Sequence, residues 1–373
     1  MIEPLVAAQL EIGFIPAIFA NQVDQIKFHS MKNKVLVTGG TGYIGSHTVV
    51  ELINNDFDVF ILDNLSNSNI QVLDGIEKIT GTRPHFEKID LVNKDAVVEF
   101  FKKNNGITSI IHFAASKAVG ESVEKPLLYY KNNLVSLINL LECMSEFQVS
   151  NMVFSSSCTV YGQPEKLPVD ESAPIQKPAS PYGNTKRISE EIIQDTIEAV
   201  PSLKAIALRY FNPIGAHDSA LIGELPLGIP NNLVPFVTQT ASGIRPQLKV
   251  FGNDYDTPDG SAVRDYIHVV DLAKAHLIAL ERLLENKTNN RYEYFNLGTG
   301  EGYSVLDVIK SFEKVSGQKL NYTITDRRAG DIEKIWANTD YSNRELGWKA
   351  EKGLDEMMLS AWKWQLKLNE TGK

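Results

Sequence analysis

In "SPYGNTK" (Ser180 to Lys186) a tyrosine stands four residues before a lysine, and the following run "RISEEIIQDTIEAV" carries apolar residues at helical spacing. On a helix Tyr182 and Lys186 share one face, so an ammonium can lie beside a phenol and favour its ionised form. That is what tyrosine needs to act as a general base, since an unperturbed phenol titrates near pKa ~10. Taken alone, the pair fits a surface tyrosine beside a solvated lysine better than a catalyst, because such spacings recur by chance. Ser157, the third serine of "SSSC", is a second candidate; by itself it reads as the end of a strand.

The elements that would position these residues show as an alternation of short apolar runs and amphipathic stretches. "KVLVTGG", "DVFILDN", "SIIHFAA", "NMVFSSS" and "AIALRYFN" read as buried parallel strands. The alternation predicts an α/β fold, a doubly wound parallel Rossmann sheet, with ligands beyond the carboxyl ends of the strands. The first run passes into Gly39, Gly42 and Gly45 of "GGTGYIGSH" and then the helix "TVVELINNDF". Glycines there permit a tight turn and close backbone approach, and a helix N-terminus offers N–H groups to a pyrophosphate. Asp63, closing the second run, is placed to accept bonds from both adenosine ribose hydroxyls and to repel a 2′-phosphate. The combination predicts NAD rather than NADP.

With 373 residues the chain exceeds what one core usually spans. We expect an N-terminal extension over 1–30, a Rossmann domain over 31–211, and a smaller C-terminal α/β substrate-binding domain over 212–373. A return to the Rossmann domain is expected around 264–298. The net charge of -9 and the lack of a basic block argue against nucleic-acid or membrane-surface partners. Two cysteines, Cys143 and Cys158, cannot build a disulfide framework or a four-thiolate zinc site. The seven histidines show no metal-binding spacing, so no metal is expected and a reducing cytoplasm fits. "MIEPLVAAQLEIGFIPAIFA" carries Glu3 and Glu11 and lacks a basic start, so it reads as neither a secretory signal nor a span. It is expected to be a poorly ordered upstream in-frame start or expression remnant before Met31.

Glycine turn and YxxxK, in this order, resemble the extended short-chain dehydrogenase/reductase family, whose glycine pattern is GxxGxxG. "DNLSNS", "HFAASKAVGESV", "VFSSSCTVYG", "RYFNPIGAH", "GIPNNLVP", "VFGNDYDTPDGSAVRDYIHVVDLA", "NLGTG" and "RRAGD" extend the likeness from Lys32 to about Leu368. They are similar to the branch that epimerises UDP-hexoses at C4. The resemblance implies interconversion of UDP-galactose and UDP-glucose through a 4-keto intermediate, tightly bound NAD and a homodimer; the bulk of Ile335, between tyrosine and cysteine, predicts weaker activity on N-acetylated sugars.

Residue by residue, the resemblance implies that Gly39, Gly42, Tyr43, Ile44 and Gly45 line the pyrophosphate. Asp63 takes the adenosine ribose, with Asn64, Leu65, Ser66, Asn67 and Ser68 around it. Asp90 and Leu91 match adenine contacts. Phe113, Ala114, Ala115, Ser116 and Lys117 pass the diphosphate and nicotinamide side, and Asn132 and Phe211 are further cofactor contacts. Tyr182 is implied as base, Lys186 as its partner and nicotinamide-ribose ligand, and Ser157 as the group bridging O4 to the phenol. The UDP grip falls to Asn212, Asn232, Lys249, Val250, Phe251, Arg264, Arg328 and Asp331. Ile335 holds the wall position that carries tyrosine in some members and cysteine in others; Cys158, where alanine is common, reads as packing. Two other readings stay open. A nucleotide-sugar 4,6-dehydratase shares the fold but needs an acid pair near the serine, where this chain has "SSCTVYG". A non-catalytic NAD sensor or scaffold would share the cofactor motif.

Replacing Asp63 with alanine is expected to erode the preference for NAD over NADP, measured by binding titration with each nucleotide. An unchanged preference counts against the ribose role.

Overall fold

Lys34–Thr38 (β1) leads through the glycine turn into Tyr43–Asn54 (α1), followed by Asp58–Asp63 (β2), Val72–Thr80 (α2), His85–Lys88 (β3), Lys94–Lys103 (α3) and Ile107–His112 (β4). Val119–Glu124 (α4) and Pro126–Glu146 (α5) precede Asn151–Ser157 (β5), a 3₁₀ turn over Cys158–Tyr161, Pro181–Ala199 (α6), Lys204–Tyr210 (β6) and Asn212–Ile214 (β7). Beyond these come Leu233–Ala241 (α7), Leu248–Phe251 (β8), Val263–Arg264 (β9), Tyr266–His268 (β10), Val269–Leu284 (α8) and Tyr292–Leu297 (β11). Tyr303–Ser304 (β12), Val305–Ser316 (α9), Tyr322–Thr325 (β13), Lys334–Ile335 (β14) and Leu354–Thr371 (α10) complete the order. This computed structural model describes residues 32–328 and 332–371; the expected N-terminal extension and Asp331 lie outside the described residues.

Seven parallel strands form the main sheet in the order β11-β6-β5-β4-β1-β2-β3, the doubly wound arrangement expected from the alternating runs. Both faces are covered, so the inner strands bury side chains in both directions, whereas the edge strand β3 has no fully buried residue. On β1, Val35 and Val37 enter the cluster that holds Val49 and Leu52 of α1 and Leu272 and Leu280 of α8. Leu36 points the other way, into the cluster with Phe100 of α3, Leu137 of α5 and Ile193 of α6. At about 1.5–3 kcal/mol for each fully buried aliphatic side chain, two-sided burial outweighs any single polar contact in fixing the register.

After leaving the sheet at β6, the chain returns to it through α8 and the edge strand β11. A third cluster, with Val237, Leu248, Phe312, Met357 and Trp362, packs α7, α9 and α10 with β8. The described residues from Asn33 onward form one compact unit. Among the described residues no helix is long and apolar enough to cross a membrane.

At the start of α1 the backbone is crowded. Gly39 sits at φ 70° with the Ala114 nitrogen 2.8 Å from where a Cβ would stand, and a Cβ on Gly45 would lie 2.3 Å from the Gly39 carbonyl oxygen. Gly45→Ala is therefore expected to cost about 1–3 kcal/mol, read as a lowered denaturation midpoint. Gly120→Ala in α4, where a Cβ meets nothing within 4 Å, should leave the midpoint unchanged or slightly raised.

Candidate active site

β1, β2, β4 and β5 end at one edge of the sheet, and the chemistry-bearing residues lie at or just past those ends. Helix α1 begins after Gly42, with no side chain capping its N-terminus and no acidic residue in its first turn. Asp63 is 9% exposed, and its carboxylate accepts from the Thr41 N–H (3.3 Å), the Leu65 N–H (2.9 Å) and the Ser68 hydroxyl (3.2 Å). Those bonds aim it at the glycine turn, and Leu65 reaches its place through a left-handed backbone, φ 59°. Next to it, Asn64 reaches Asp90 (3.4 Å) and accepts from the Ser66 N–H (3.0 Å), while Asn67 is exposed. Ile44 packs against the α1 face of the core, and Leu91 is buried on the other.

These features fit an NAD molecule: a glycine cradle that a Cβ would fill, an uncapped helix N-terminus for the pyrophosphate, and a pre-aimed carboxylate for the ribose. The segment after β4 continues the groove. The Phe113 N–H donates to the Thr38 carbonyl, Ala114 lies against Gly39, and Ser116 is held by Asn133 and by Asn132 Nδ2 (3.1 Å). Ala115 is partly buried between them.

Ser157, 7% exposed, ends β5; its hydroxyl accepts from the Thr159 N–H at 3.2 Å. Tyr182 and Lys186 lie in the first turns of α6, started by Ser180, whose hydroxyl accepts from the Gly183 N–H, and by Pro181. Desolvation pushes the Tyr182 phenol well above its usual value, the nearby Cys158 adds to this, and a hydrogen bond from Ser157 opposes it. Lys186 is buried, donates from Nζ to the Ser155 carbonyl at 2.5 Å and lies 4.9 Å from the Phe154 ring centre. Burial lowers its ammonium to about 7, against the pull of Glu190. The sequence suggests an ammonium paired directly with the phenol; the structure instead anchors the amine on β5, because a desolvated amine takes the nearest strong acceptor.

The residues expected to grip UDP fall into two groups. Asn212 opens β7, its N–H donating to the Asp265 carbonyl, and Arg264 pairs in register with Ile335 across β9 and β14. Arg264 Nη1 donates to the Val263 carbonyl at 2.8 Å. Lys249 and Phe251 are exposed on β8 with Val250 buried between them, and the Arg328 guanidinium lies 5.7 Å from the Phe251 ring. Asn232, at the N-terminus of α7, donates to Glu224 Oε1, whose carboxylate also meets Lys117 at 3.8 Å. Tyr43 donates from its hydroxyl to the Gly215 carbonyl at 2.6 Å, tying the glycine turn to the loop before Glu224. Ile335 is 3% exposed, in a small cluster with Cys158, Phe211, Val169 and Ala337. Cys158 belongs to that packing, and burial raises its thiol to about 12.

Three residues carry structure at this site that sequence patterns did not single out. Glu224 joins Lys117 to Asn232. Asp265, fully buried, accepts from the Thr299, Gly300 and Ala337 N–H groups and so fixes the strand ends around Arg264 and Ile335. Glu190 follows Lys186 by one helical turn; only its i, i+4 spacing hinted at a shared face.

The family model described as GDP-mannose 4,6 dehydratase matches residues 36–360. A UDP-glucose 4-epimerase of Bacillus subtilis is 52% identical over 331 residues, covering 89% of this chain and 96% of that protein. That of Bos taurus is 50% identical over 348 residues, covering 92% of this chain and 99% of that one. Among solved structures, the UDP-glucose 4-epimerase of Bifidobacterium longum in complex with NAD+ and UDP superposes with a TM-score of 0.87 at 47% identity. It covers 91% of this chain and 100% of that one.

Proposed function

Because this chain belongs to the UDP-glucose 4-epimerase family, within the wider family whose model is described as GDP-mannose 4,6 dehydratase, we propose that it interconverts UDP-galactose and UDP-glucose. The observation that carries this reading is the convergence of Ser157, Tyr182 and Lys186 at the strand ends, beside the glycine turn and Asp63. When bound, NAD supplies a hydride acceptor that returns the hydride within the same turnover. Gly39, Gly42 and Gly45 admit the pyrophosphate to the N-terminus of α1, and Asp63 takes the adenosine ribose.

Tyr182 Oη removes the proton from O4 of the hexose, and Ser157 Oγ, bonded to that phenol, orients O4 and relays the proton. The surroundings keep the phenol protonated by desolvation; in this reading protonated Lys186, one turn further along α6, supplies the positive charge that favours its ionisation. Arg264 and Arg328 present planar forks to a diphosphate, Asn212 and Asn232 orient the nucleotide, and Phe251 offers a ring face. Firm hold on UDP with loose hold on the hexose lets the oxidised sugar turn over between hydride removal and return. Asp331 and the residues from 212 onward that lie outside α8 and β11 belong to this grip. A dehydratase would need an acid beside the serine; Cys158 and Thr159 stand there instead.

The protein acts as a cytoplasmic homodimer in this reading. In support, Val119 and Val123 of α4 and Leu127, Leu128 and Ile138 of α5 expose apolar surface along one pair of helices.

Purified protein given UDP-galactose without added NAD should form UDP-glucose, and Tyr182→Phe should lower turnover by several orders of magnitude while retaining fold and NAD. Absence of product from the wild type, or near-normal turnover by the variant, overturns the assignment. Substrate range is expected to follow Ile335, intermediate in bulk between tyrosine and cysteine. The efficiency ratio for UDP-N-acetylgalactosamine over UDP-galactose should fall in Ile335→Tyr and rise in Ile335→Cys. A ratio constant across the three proteins removes Ile335 from the wall.

A further inference from the structure

Glu190 is 1% exposed, charged, and used by none of the steps above. It follows Lys186 by four residues and Tyr182 by eight, so all three lie along one stripe of α6. Its carboxylate binds two adjacent strands. Ser156 Oγ of β5 and Arg209 Nε of β6 (2.9 Å) donate to Oε1, and Arg209 Nη2 donates to Oε2. Arg209 is equally buried; its guanidinium lies 4.0 Å from the Tyr294 ring and 5.1 Å from the Tyr161 ring. Arg209 Nη1 donates to the Tyr161 hydroxyl, and Tyr161 closes the 3₁₀ turn that begins directly after Ser157.

A buried ion pair is a weak means of docking a helix, because desolvation consumes most of the attraction. The next turns of α6 dock through apolar side chains, Ile193 and Ile197 with Ile192 beside them. What Glu190 and Arg209 add is geometry and charge. Ser156, held by Glu190, immediately precedes Ser157, and Tyr161, held by Arg209, lies four residues after it. Around Lys186, β5 presents the Ser155 carbonyl and the Phe154 ring, and β4 presents His112, which burial lowers to about 3. β6 presents Tyr210, bonded to Ser155, with its phenol raised by burial. Glu190 is the anion facing this amine, and it opposes the desolvation that removes the proton.

We propose that Glu190, clamped by Arg209, is a positioning residue. It locks the Ser157 end of β5 against the Tyr182–Lys186 face of α6 and supplies the fixed negative charge that keeps Lys186 protonated. The inference rests on the epimerase reading for its effect on turnover.

The test compares NAD-loaded wild type with Glu190→Gln, with Glu190→Gln/Arg209→Met, which leaves no unpaired arginine, and with Ser156→Ala, which removes one bond and no charge. Circular dichroism establishes folding. In the two charge variants the alkaline limb of kcat for UDP-galactose, where Lys186 loses its proton, should move down by about one pH unit. Neutral-pH kcat should fall about fivefold with KM little changed. Lys186 ionisation, read by NMR of 15N-lysine-labelled protein with its signal assigned by loss in Lys186→Met, should move to lower pH. Ser156→Ala should lower kcat and leave both pH limbs in place. Folded charge variants with the wild-type pH profile and Lys186 titration overturn the charge role, and full activity in Ser156→Ala overturns the register role. A wild type inert toward UDP-galactose would remove the epimerase reading, and the Lys186 titration would still decide the charge role.

Discussion

One constraint governs the arrangement: the central strands run parallel and stop in line. Thr38 pairs with Leu62 on one side and His112 on the other, and Ser157 pairs with Tyr210. Parallel strands bring all their carboxyl ends to one edge, so Gly39, Asp63, Phe113, Ser157 and Phe211 meet there although they span much of the chain. A slip of one residue would exchange the two buried faces of a strand and turn, for instance, Ser156 outward in place of Ser157. The apolar packing on both faces forbids it, and so the core also sets the catalytic geometry.

That edge is a dry place, and desolvation dominates its charges. His47 and His112 are lowered to about 3, Lys186 to about 7, and the Tyr182 and Tyr210 phenols are raised. Burial thus disfavours the charged form in every one of these groups, acid or base. Where a carboxylate is buried, the fold surrounds it with donors. Asp63 has three donors, Asp265 has donors from three backbone positions, and Glu190 has Arg209 and Ser156. Each supports residues of the site without itself belonging to an apolar core.

Much of this was legible in the sequence. Unbroken runs such as "KVLVT" and "NMVFSSS" are strands because both faces are buried, and the glycines between β1 and α1 leave no room for a Cβ. Asp63 closes its strand, and the Tyr182–Lys186 spacing falls on one helix face, as expected from local periodicity. These features depend on neighbours a few residues away, which a sequence displays directly.

Other features depended on neighbours far along the chain. Lys186 donates to the Ser155 carbonyl rather than to the phenol, Glu224 holds both Asn232 and Lys117, and Ile335 packs against Cys158 and Phe211. Arg209 and Glu190 are 19 residues apart and read, in sequence, as ordinary charges; only their burial between β5, β6 and α6 makes them a pair. Type and spacing determined by themselves which residues could ionise, bond or turn tightly, since those are properties of the side chain and its local backbone. Whether a given group is desolvated, and which partner then satisfies it, was decided by the tertiary structure, because burial is a property of everything packed around the group.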